Sequence, residues 1–507
     1  MPNRENAPLF EKMMEHYERR PASFHVPGHK SGRGADREAA PFFGPLMALD
    51  YTEISGLDDL HQPEEAIREA QILAAECFGA EETFFLVGGS TAGNLAMIMS
   101  LCGPGDILLV QRNAHKSVLH GLMLAGAHAV FISPQTDGES GIPASVRLSD
   151  VEDALSRYPE AKGLLLTNPN YYGMGVSLRP YADLMHRHGL PLLVDEAHGA
   201  HYGFHPALPE SALSCGADAV VQSTHKMLTA MTMGAMLHLR HDRMDRERIR
   251  MLLAMLQSSS PSYPIMASLD LARRQMHLHG EKLVAEGLKA VQRLRDGLEN
   301  LYGFRQLKHR SAQTAYEHMD PFKVTIYDGT GTLSGTELQG FLEEAGCFVE
   351  LAADKAVLLL LTPASTIEDA ERALEACEAI SKEYLTNKQE LPGISPNSMY
   401  KPLLNSVSKP VPMNIPVTRD AKNSLQDSVC IMPIESFAGK RSAEMVIPYP
   451  PGIPLLYPGE LIQEDTAAEL KRLAESGARF HGSREAAKGR LRVLTDTPED
   501  TCNSNIE

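Results

Sequence analysis

Paired-cysteine motifs, long apolar runs and an excess of basic charge are all missing from this 507-residue chain. Its seven cysteines stand far apart, at 77, 102, 215, 347, 377, 430 and 502, with no CxxC among them. An odd, scattered set excludes a disulfide framework and a zinc site, and reads as reduced, mostly buried thiols. No segment approaches the ~18 continuous apolar residues that a membrane helix needs; AVLLLLTP at 356–363 is too short. The opening MPNRENAPLFEKMMEHYERR has no apolar stretch of the signal-peptide kind, so a cytoplasmic protein is expected. Lysine and arginine number 48 against 65 aspartates and glutamates, a formal net charge of −17. That balance disfavours nucleic acid as the main partner and suits cationic small molecules. No GxxxxGK[ST] phosphate loop occurs, which removes the helicase reading that DEAH at 195–198 would otherwise invite.

What remains is the composition of an ordinary globular protein, 43% hydrophobic and 22% charged. At roughly 100–200 residues per domain, its length predicts two to four domains. Residues 1–20 read as helical and 21–63 as irregular, together an N-terminal arm. From 64 to 300, short apolar strands (ETFFLV, DILLV, HAVFI, GLLLTNP, PLLVDEA, DAVVQS, GAMLHL) alternate with helical stretches. Fully apolar strands between helices are the signature of an α/β domain on a mostly parallel sheet. Residues 301–386, with PFKVTIYD and AVLLLLTP, predict a small α+β domain. Prolines at 392, 396, 402, 410, 412 and 416 mark 387–423 as a linker or extended arm. Residues 424–507 form a C-terminal α+β unit whose last residues are expected to fray.

Four features carry chemistry. VVQSTHK ends a strand at Lys226, on the edge where open α/β sheets build their sites; alone, such a lysine is more often a solvated surface group. PLLVDEA ends at Asp195, a carboxylate that needs a cationic partner if buried; alone, it reads equally well as a cap or structural ion pair. VGGSTAGN, residues 87–94, joins a strand to a helix and offers glycines, hydroxyls and helix N–H groups to an anion. RNAHKS places His115 after another strand, either as a ring-stacking or proton-transfer residue or as a loop histidine. One ligand meets all four. Pyridoxal phosphate has a monophosphate, an aldehyde for a lysine, a basic ring nitrogen for an aspartate, and a flat face for an imidazole. No metal is expected.

At this point the sequence resembles the Orn/Lys/Arg decarboxylases of the aspartate-aminotransferase fold, nearest the short bacterial arginine decarboxylases. The likeness runs nearly end to end through FHVPGHKSGRG, LDDLHQP, FFLVGGSTAGN, CGPGDILLVQRNAHKS, LLVDEAHGAHYGFH, STHK, SSSPSYP and YPPGIPLLYPGE. It implies the type I fold of pyridoxal-phosphate enzymes, with Lys226 as the Schiff-base lysine and Asp195 on the pyridine nitrogen. It further implies that His115 stacks on the ring and His198 sits near the ring's phenolic oxygen. Gly89, Ser90, Thr91 and Ser223 would hold the phosphate, and His225 is the implied proton donor. The serine-rich loop 258–262 would reach the phosphate site of a neighbouring subunit. The implied reaction is decarboxylation of a basic amino acid, arginine first and lysine or ornithine next, to an amine of the polyamine pathway and CO2. An aminotransferase or a β-eliminating lyase of the same fold is the alternative, although TNPNYYGMGV departs from the aminotransferase stretch. The early start of the fold predicts no receiver-like domain ahead of it, and a homodimer or small multiple of dimers. Glu53, in the acidic run LDYTEISGLDDL with Asp50, Asp58 and Asp59, is the candidate contact for the substrate's cationic tail. For each of the four, a solvated or helix-capping carboxylate is the plainer alternative.

Overall fold

The computed structural model describes residues 3–138, 140–310, 314–353, 355–386, 388, 407–413, 429–449, 452–475 and 477–494. Helix α1 (Pro8–Glu18) precedes a mostly irregular stretch that nevertheless contains one short helix, α2 (Ala40–Met47). Helix α3 (Ala66–Phe78) ends at Gly79, whose φ of 77° supplies the left-handed turn of a helix stop. Strand and helix then alternate: β1 (Glu82–Leu86), α4 (Gly89–Leu101), β2 (Ile107–Gln111), α5 (Lys116–Ala125), β3 (His128–Ile132), α6 (Leu148–Arg157) and β4 (Leu164–Thr167). After the two-residue β5 (Met174–Gly175) come α7 (Arg179–Arg187), β6 (Leu192–Asp195), β7 (Ala219–Gln222), α8 (Thr224–Met227), β8 (Ala235–Leu239), α9 (Arg246–Leu256) and the 37-residue α10 (Tyr263–Glu299).

The order in the main sheet is β1-β8-β7-β6-β4-β2-β3, with β3, β2, β4, β6 and β7 parallel. Strand β8 is antiparallel to both β7 and β1. Two reversals bring β1 back into the direction of β7, so the C-terminal ends of β1, β2, β6 and β7 share one edge. Side chains alternate between the faces of this sheet. Leu108 and Val110 join the core under α4, α5 and α9, whereas Leu109 and Val194 join the core under α3 and α10. Apolar cover on both faces explains why these strands read as continuous hydrophobic runs.

A second, antiparallel sheet holds β9 (Phe304–Gln306), β11 (Lys323–Asp328), β12 (Leu351–Ala352) and β13 (Ala356–Leu360), while the two-residue β10 (His318–Met319) pairs with β5. Helices α11 (Gly335–Glu344) and α12 (Ile367–Ile380) accompany it; each begins with a reciprocal capping box, at Ser334/Glu337 and Thr366/Asp369. Sequence reading misses β9 and β12 because each is too short to show a period.

Of the proline-rich stretch 387–423, residues 388 and 407–413 are described, and Val411–Pro412 adds an antiparallel edge strand to β3. The remainder of that stretch, and the frayed tail expected beyond 494, lie outside the described residues. The C-terminal unit pairs Val429–Pro433 and Arg441–Ser442 with Arg490–Leu494, backed by the helix Glu464–Glu475 over a separate apolar core. Cys77, Cys102, Cys215, Cys347 and Cys377 are free thiols, but Cys430 is disulfide-bonded, a departure from the all-thiol reading. Among the described residues no helix is long and apolar enough to cross a membrane.

Candidate active site

Asp195 is the last residue of β6, and β7 ends three residues before His225 on the adjoining strand. The short α8 turns the chain there, so Lys226 projects from the shared edge instead of continuing along the sheet. Its Nζ lies 3.0 Å from His198 Nε2 and 5.5 Å from the centre of the Tyr171 ring. Burial lowers the Lys226 pKa below the ordinary lysine value, opposed by the nearby Asp195 and Glu350 carboxylates. His198 is buried, packs on Tyr171 at 4.3 Å between ring centres, and presents Nδ1 to Lys323 Nζ at 2.9 Å. Lys323 opens β11 of the second sheet and is fully buried; burial brings its pKa down to about 8.

Asp195 is 2% exposed. One of its oxygens accepts from Asn94 Nδ2 at 2.9 Å, and the other accepts from the Ala197 N–H at 3.1 Å. Asn94 Nδ2 also donates to Ser117 Oγ at 2.9 Å, and Ser117 Oγ lies 2.8 Å from His115 Nδ1. His115 caps α5 through the Ser117 N–H, and burial pushes its pKa down to about 4, against the pull of Asp195. A neutral imidazole and a fixed carboxylate thus stand on one connected network. Glu196, the next residue, points away and accepts from Ala212 N–H and Gln222 Nε2 at 2.8 and 2.7 Å.

Gly89, Ser90 and Thr91 form the first turn of α4, which has no side-chain cap, and Gly89 sits at φ 74° with open space where a Cβ would stand. Ser223 Oγ donates to Ser90 Oγ at 2.8 Å, tying the end of β7 to this turn. The Gly89 N–H is taken by the Met233 carbonyl at 2.9 Å, and the N–H groups that follow it, beside two hydroxyls and an open glycine, fit an anion. His225 donates Nδ1–H to the Gly234 carbonyl at 2.9 Å, which leaves Nε2 as the acceptor, and burial lowers its pKa.

The acidic run is not drawn into this cluster. Asp58 is a helix cap: its carboxylate accepts the backbone N–H groups of Glu64, Glu65 and Ile67 at 2.9 Å each. Asp59 accepts the His61 N–H at 2.8 Å, and Asp50 lies 3.2 Å from His29. Glu53 is exposed and accepts the Thr52 hydroxyl; its charge is felt by Tyr263 at the start of α10. Ser258 to Ser260 are exposed too, with His61 Nε2 2.8 Å from the Ser258 carbonyl.

Asn94, Tyr171 and Lys323 are site residues that sequence reasoning did not single out. Asn94 stands inside the glycine-rich turn already noted, and Tyr171 inside TNPNYYGMGV. Lys323 carried one signal: a lysine leading an apolar strand, KVTI, has to be buried with a partner.

A sequence model described as "Orn/Lys/Arg decarboxylase, major domain" matches residues 7–309, and its C-terminal counterpart matches 401–497. This chain belongs to the Orn/Lys/Arg decarboxylase family. The decarboxylase is 34% identical to the arginine decarboxylase of Bacillus subtilis, over 96% of this chain and 98% of that one. It is 41% identical to the protein YaaO of the same organism, over 97% and 99%. In fold it is similar to lysine decarboxylase A from Pseudomonas aeruginosa, with a TM-score of 0.79 at 22% identity, covering 96% of this chain and 80% of the other. A Sphingomonas wittichii serine palmitoyltransferase shares the fold more loosely, with a TM-score of 0.51. The α/β type I fold and the decarboxylase assignment expected from the sequence are borne out.

Proposed function

We propose that this chain uses pyridoxal phosphate at Lys226 to decarboxylate a basic amino acid, arginine first and lysine or ornithine next, releasing CO2 and a polyamine-pathway amine. The observation that carries this reading is a half-buried lysine of lowered pKa and a buried carboxylate on one sheet edge, beside a helix start with no side-chain cap. The residues present fit that group. Gly89, Ser90, Thr91 and Ser223 would hold its phosphate, Asp195 its ring nitrogen, His115 a ring face, and His198 its phenolic oxygen. When bound, it supplies an aldehyde for the lysine and a ring that takes up the electron pair left by the departing carboxylate.

The chain's own residues do the rest. Asn94 and the Ala197 N–H hold Asp195 in one orientation, so that its charge is fixed toward a cation. Burial of Lys226 favours the free amine that a nucleophile needs. His225, anchored to Gly234, keeps Nε2 available to hold or move a proton.

The same reading divides the chain into an arm (1–63), a large domain (64–300), a small domain (301–386), a linker (387–423) and a C-terminal unit (424–507). It also takes the protein as a cytoplasmic homodimer or small multiple of dimers. Support for pairing comes from the arm, where Phe24 is 94% and Phe42 81% exposed, a poor arrangement for an isolated chain. The direct test is incubation of the purified protein and cofactor with arginine, lysine and ornithine in turn, identifying the amine formed. Keto acid production without amine rejects decarboxylation.

A further inference from the structure

His198 lies between two lysines. Its Nε2 is 3.0 Å from Lys226 Nζ and its Nδ1 is 2.9 Å from Lys323 Nζ. Burial, and behind it the positive charge of the flanking lysines, holds His198 well below its usual pKa, so the ring is neutral. A neutral imidazole has one N–H and one lone pair. It can accept from one ammonium and must then donate to the other nitrogen, which has to be a free amine. Two ammonium groups at these distances cannot both be bonded.

We propose that Lys226 and Lys323 share a single proton across His198, so that Lys323 is the internal acceptor for the proton that Lys226 sheds on becoming a nucleophile. In one state the Lys226 ammonium donates to Nε2 while Nδ1–H donates to the Lys323 amine. Transfer breaks the Lys226 N–H bond and forms Nε2–H, and breaks Nδ1–H as a new N–H bond forms on Lys323. The imidazole changes tautomer, one proton has moved from Lys226 to Lys323, and the hydrogen bonds are equal in number before and after. Lys323 is a positioning residue here, acting on Lys226 through His198.

The surroundings suit such an exchange. Lys323 is fully buried and burial brings its pKa down to about 8, while Glu350 acts on both lysines, Asp195 on Lys226 and Asp320 on Lys323, so a carboxylate stands ready to stabilise the proton at either end. Among the described residues, the other charged and titratable groups facing the trio are Asp195 and His115 on the large sheet's edge, Tyr171, His201, and Asp320 ahead of β11. Asp320 Oδ1 takes the hydrogen bonds of His201 Nε2 at 3.2 Å and of the Phe322 N–H at 3.0 Å, while its buried Oδ2 has no hydrogen-bond partner among the described residues.

The proposal rests on the reading of Lys226 as the nucleophile, but its test needs no catalysis. In the full-length protein freed of cofactor, labelling of Lys226 by an amine-reactive reagent is followed against pH by peptide mass spectrometry. Lys323→Met removes the acceptor, and the labelling midpoint of Lys226 should move upward, with roughly tenfold slower labelling at neutral pH, about one pKa unit. Lys323→Arg restores a cation that donates to Nδ1 and cannot lose its proton. It forces Nε2–H toward a neutral Lys226, so labelling should recover and become nearly independent of pH. An unchanged midpoint in Lys323→Met overturns the shared proton. Labelling as slow in Lys323→Arg as in Lys323→Met also overturns it, because Lys323 then merely packs. Either result leaves cofactor attachment at Lys226 untouched, so this inference can fail while the proposed function stands.

Discussion

Arg112, one residue beyond β2, is buried against Glu460 of the C-terminal unit, with both carboxylate oxygens 3.1 Å from its Nη2. The guanidinium also donates to the carbonyls of Pro454 and Leu455 at 2.8 and 2.9 Å. It lies 5.3 Å from the Phe131 ring centre and 5.1 Å from that of Tyr457. The segment GIPLLYPGE, part of the sequence likeness, is therefore docked three residues from His115. Lys116 N–H bonds the Gly452 carbonyl at 3.2 Å and extends the contact. The C-terminal unit thus braces the loop that carries His115, the histidine proposed to stack on the cofactor ring.

Breaking that brace on one side leaves a charge buried without its partner, which costs about 3–5 kcal/mol. Arg112→Met and Glu460→Gln should each lower unfolding stability by amounts of that order. The double substitution should cost clearly less than their sum, as residues in one network do. Denaturant titrations of the four proteins measure this. Strict additivity would mean the pair is not coupled.

Lys226→Ala should bind pyridoxal phosphate without forming an adduct that borohydride reduces, and should lose the near-visible absorbance of the loaded protein. Its circular dichroism should match the parent's, because the side chain packs at the sheet's edge and not in the core. A reducible lysine adduct persisting at normal turnover assigns the chemistry to another residue.

His225→Ala removes a group able to hold a proton beside Lys226. Positioned acid–base groups contribute ~10²–10⁴-fold, so kcat should fall within that range while cofactor attachment proceeds as before. A loss below threefold would move the proton-transfer role elsewhere, with His198 next in line.

Asp195 and Lys226 are legible in the sequence because one closes the apolar β6 and the other lies in the turn just after the apolar β7, and a strand's end is where a parallel sheet exposes its chemistry. Asn94 and Ser117 are not, since their value lies in bonds to Asp195 and His115 across 101 and 2 residues of chain. Lys323 is harder still, arriving from the second sheet, 125 residues from the histidine it touches. The acidic run carries both of the readings that its sequence offers: Asp58 spends its oxygens capping the start of α3, and Glu53 stands exposed.

Glu196 offers a prediction in pH. Burial pushes its pKa up to about 8, against the hydrogen bonds from Gln222 and Ala212. Beyond Gln222 the chain of bonds continues to His238 Nε2 at 3.1 Å, and His238 Nδ1 meets Thr83 Oγ1 at 2.8 Å. Turning the Gln222 amide over reverses every bond in that chain and lets a protonated Glu196 donate. Because the folded pKa lies above the unfolded value of ~4.3, the folded state holds the extra proton between the two. This contribution is complete in acid, declines as pH rises above the unfolded value, and is lost once pH passes about 8. Glu196→Gln should match the parent in acid and exceed it in mild alkali, by on the order of 5 kcal/mol. Urea unfolding across a pH series would show it; a difference that does not change with pH would mean Glu196 stays ionised.

Glu53 remains the proposed contact for the substrate's cationic tail, and its exposure in the single chain decides how it can act. An exposed carboxylate on an arm whose Phe24 and Phe42 are also bare gains little from a lone ammonium or guanidinium in water. It becomes worth about 1.5–3 kcal/mol only if a second subunit covers it and the bond forms out of solvent. The exposed Ser258–Ser260 loop, bonded to His61 of the same arm, belongs to the same face and is expected to reach the partner's phosphate cradle. Glu53→Gln should therefore raise KM for the basic amino acid by roughly ten- to a hundredfold, the equivalent of that energy, while sparing the cofactor absorbance. Mixing inactive Lys226→Ala subunits with subunits inactivated in the serine loop should restore part of the activity, because one of the two sites in a mixed dimer then has both an intact lysine and an intact loop. An unchanged KM would return Glu53 to the solvated surface. No recovery despite demonstrated subunit exchange would place each site wholly within one chain.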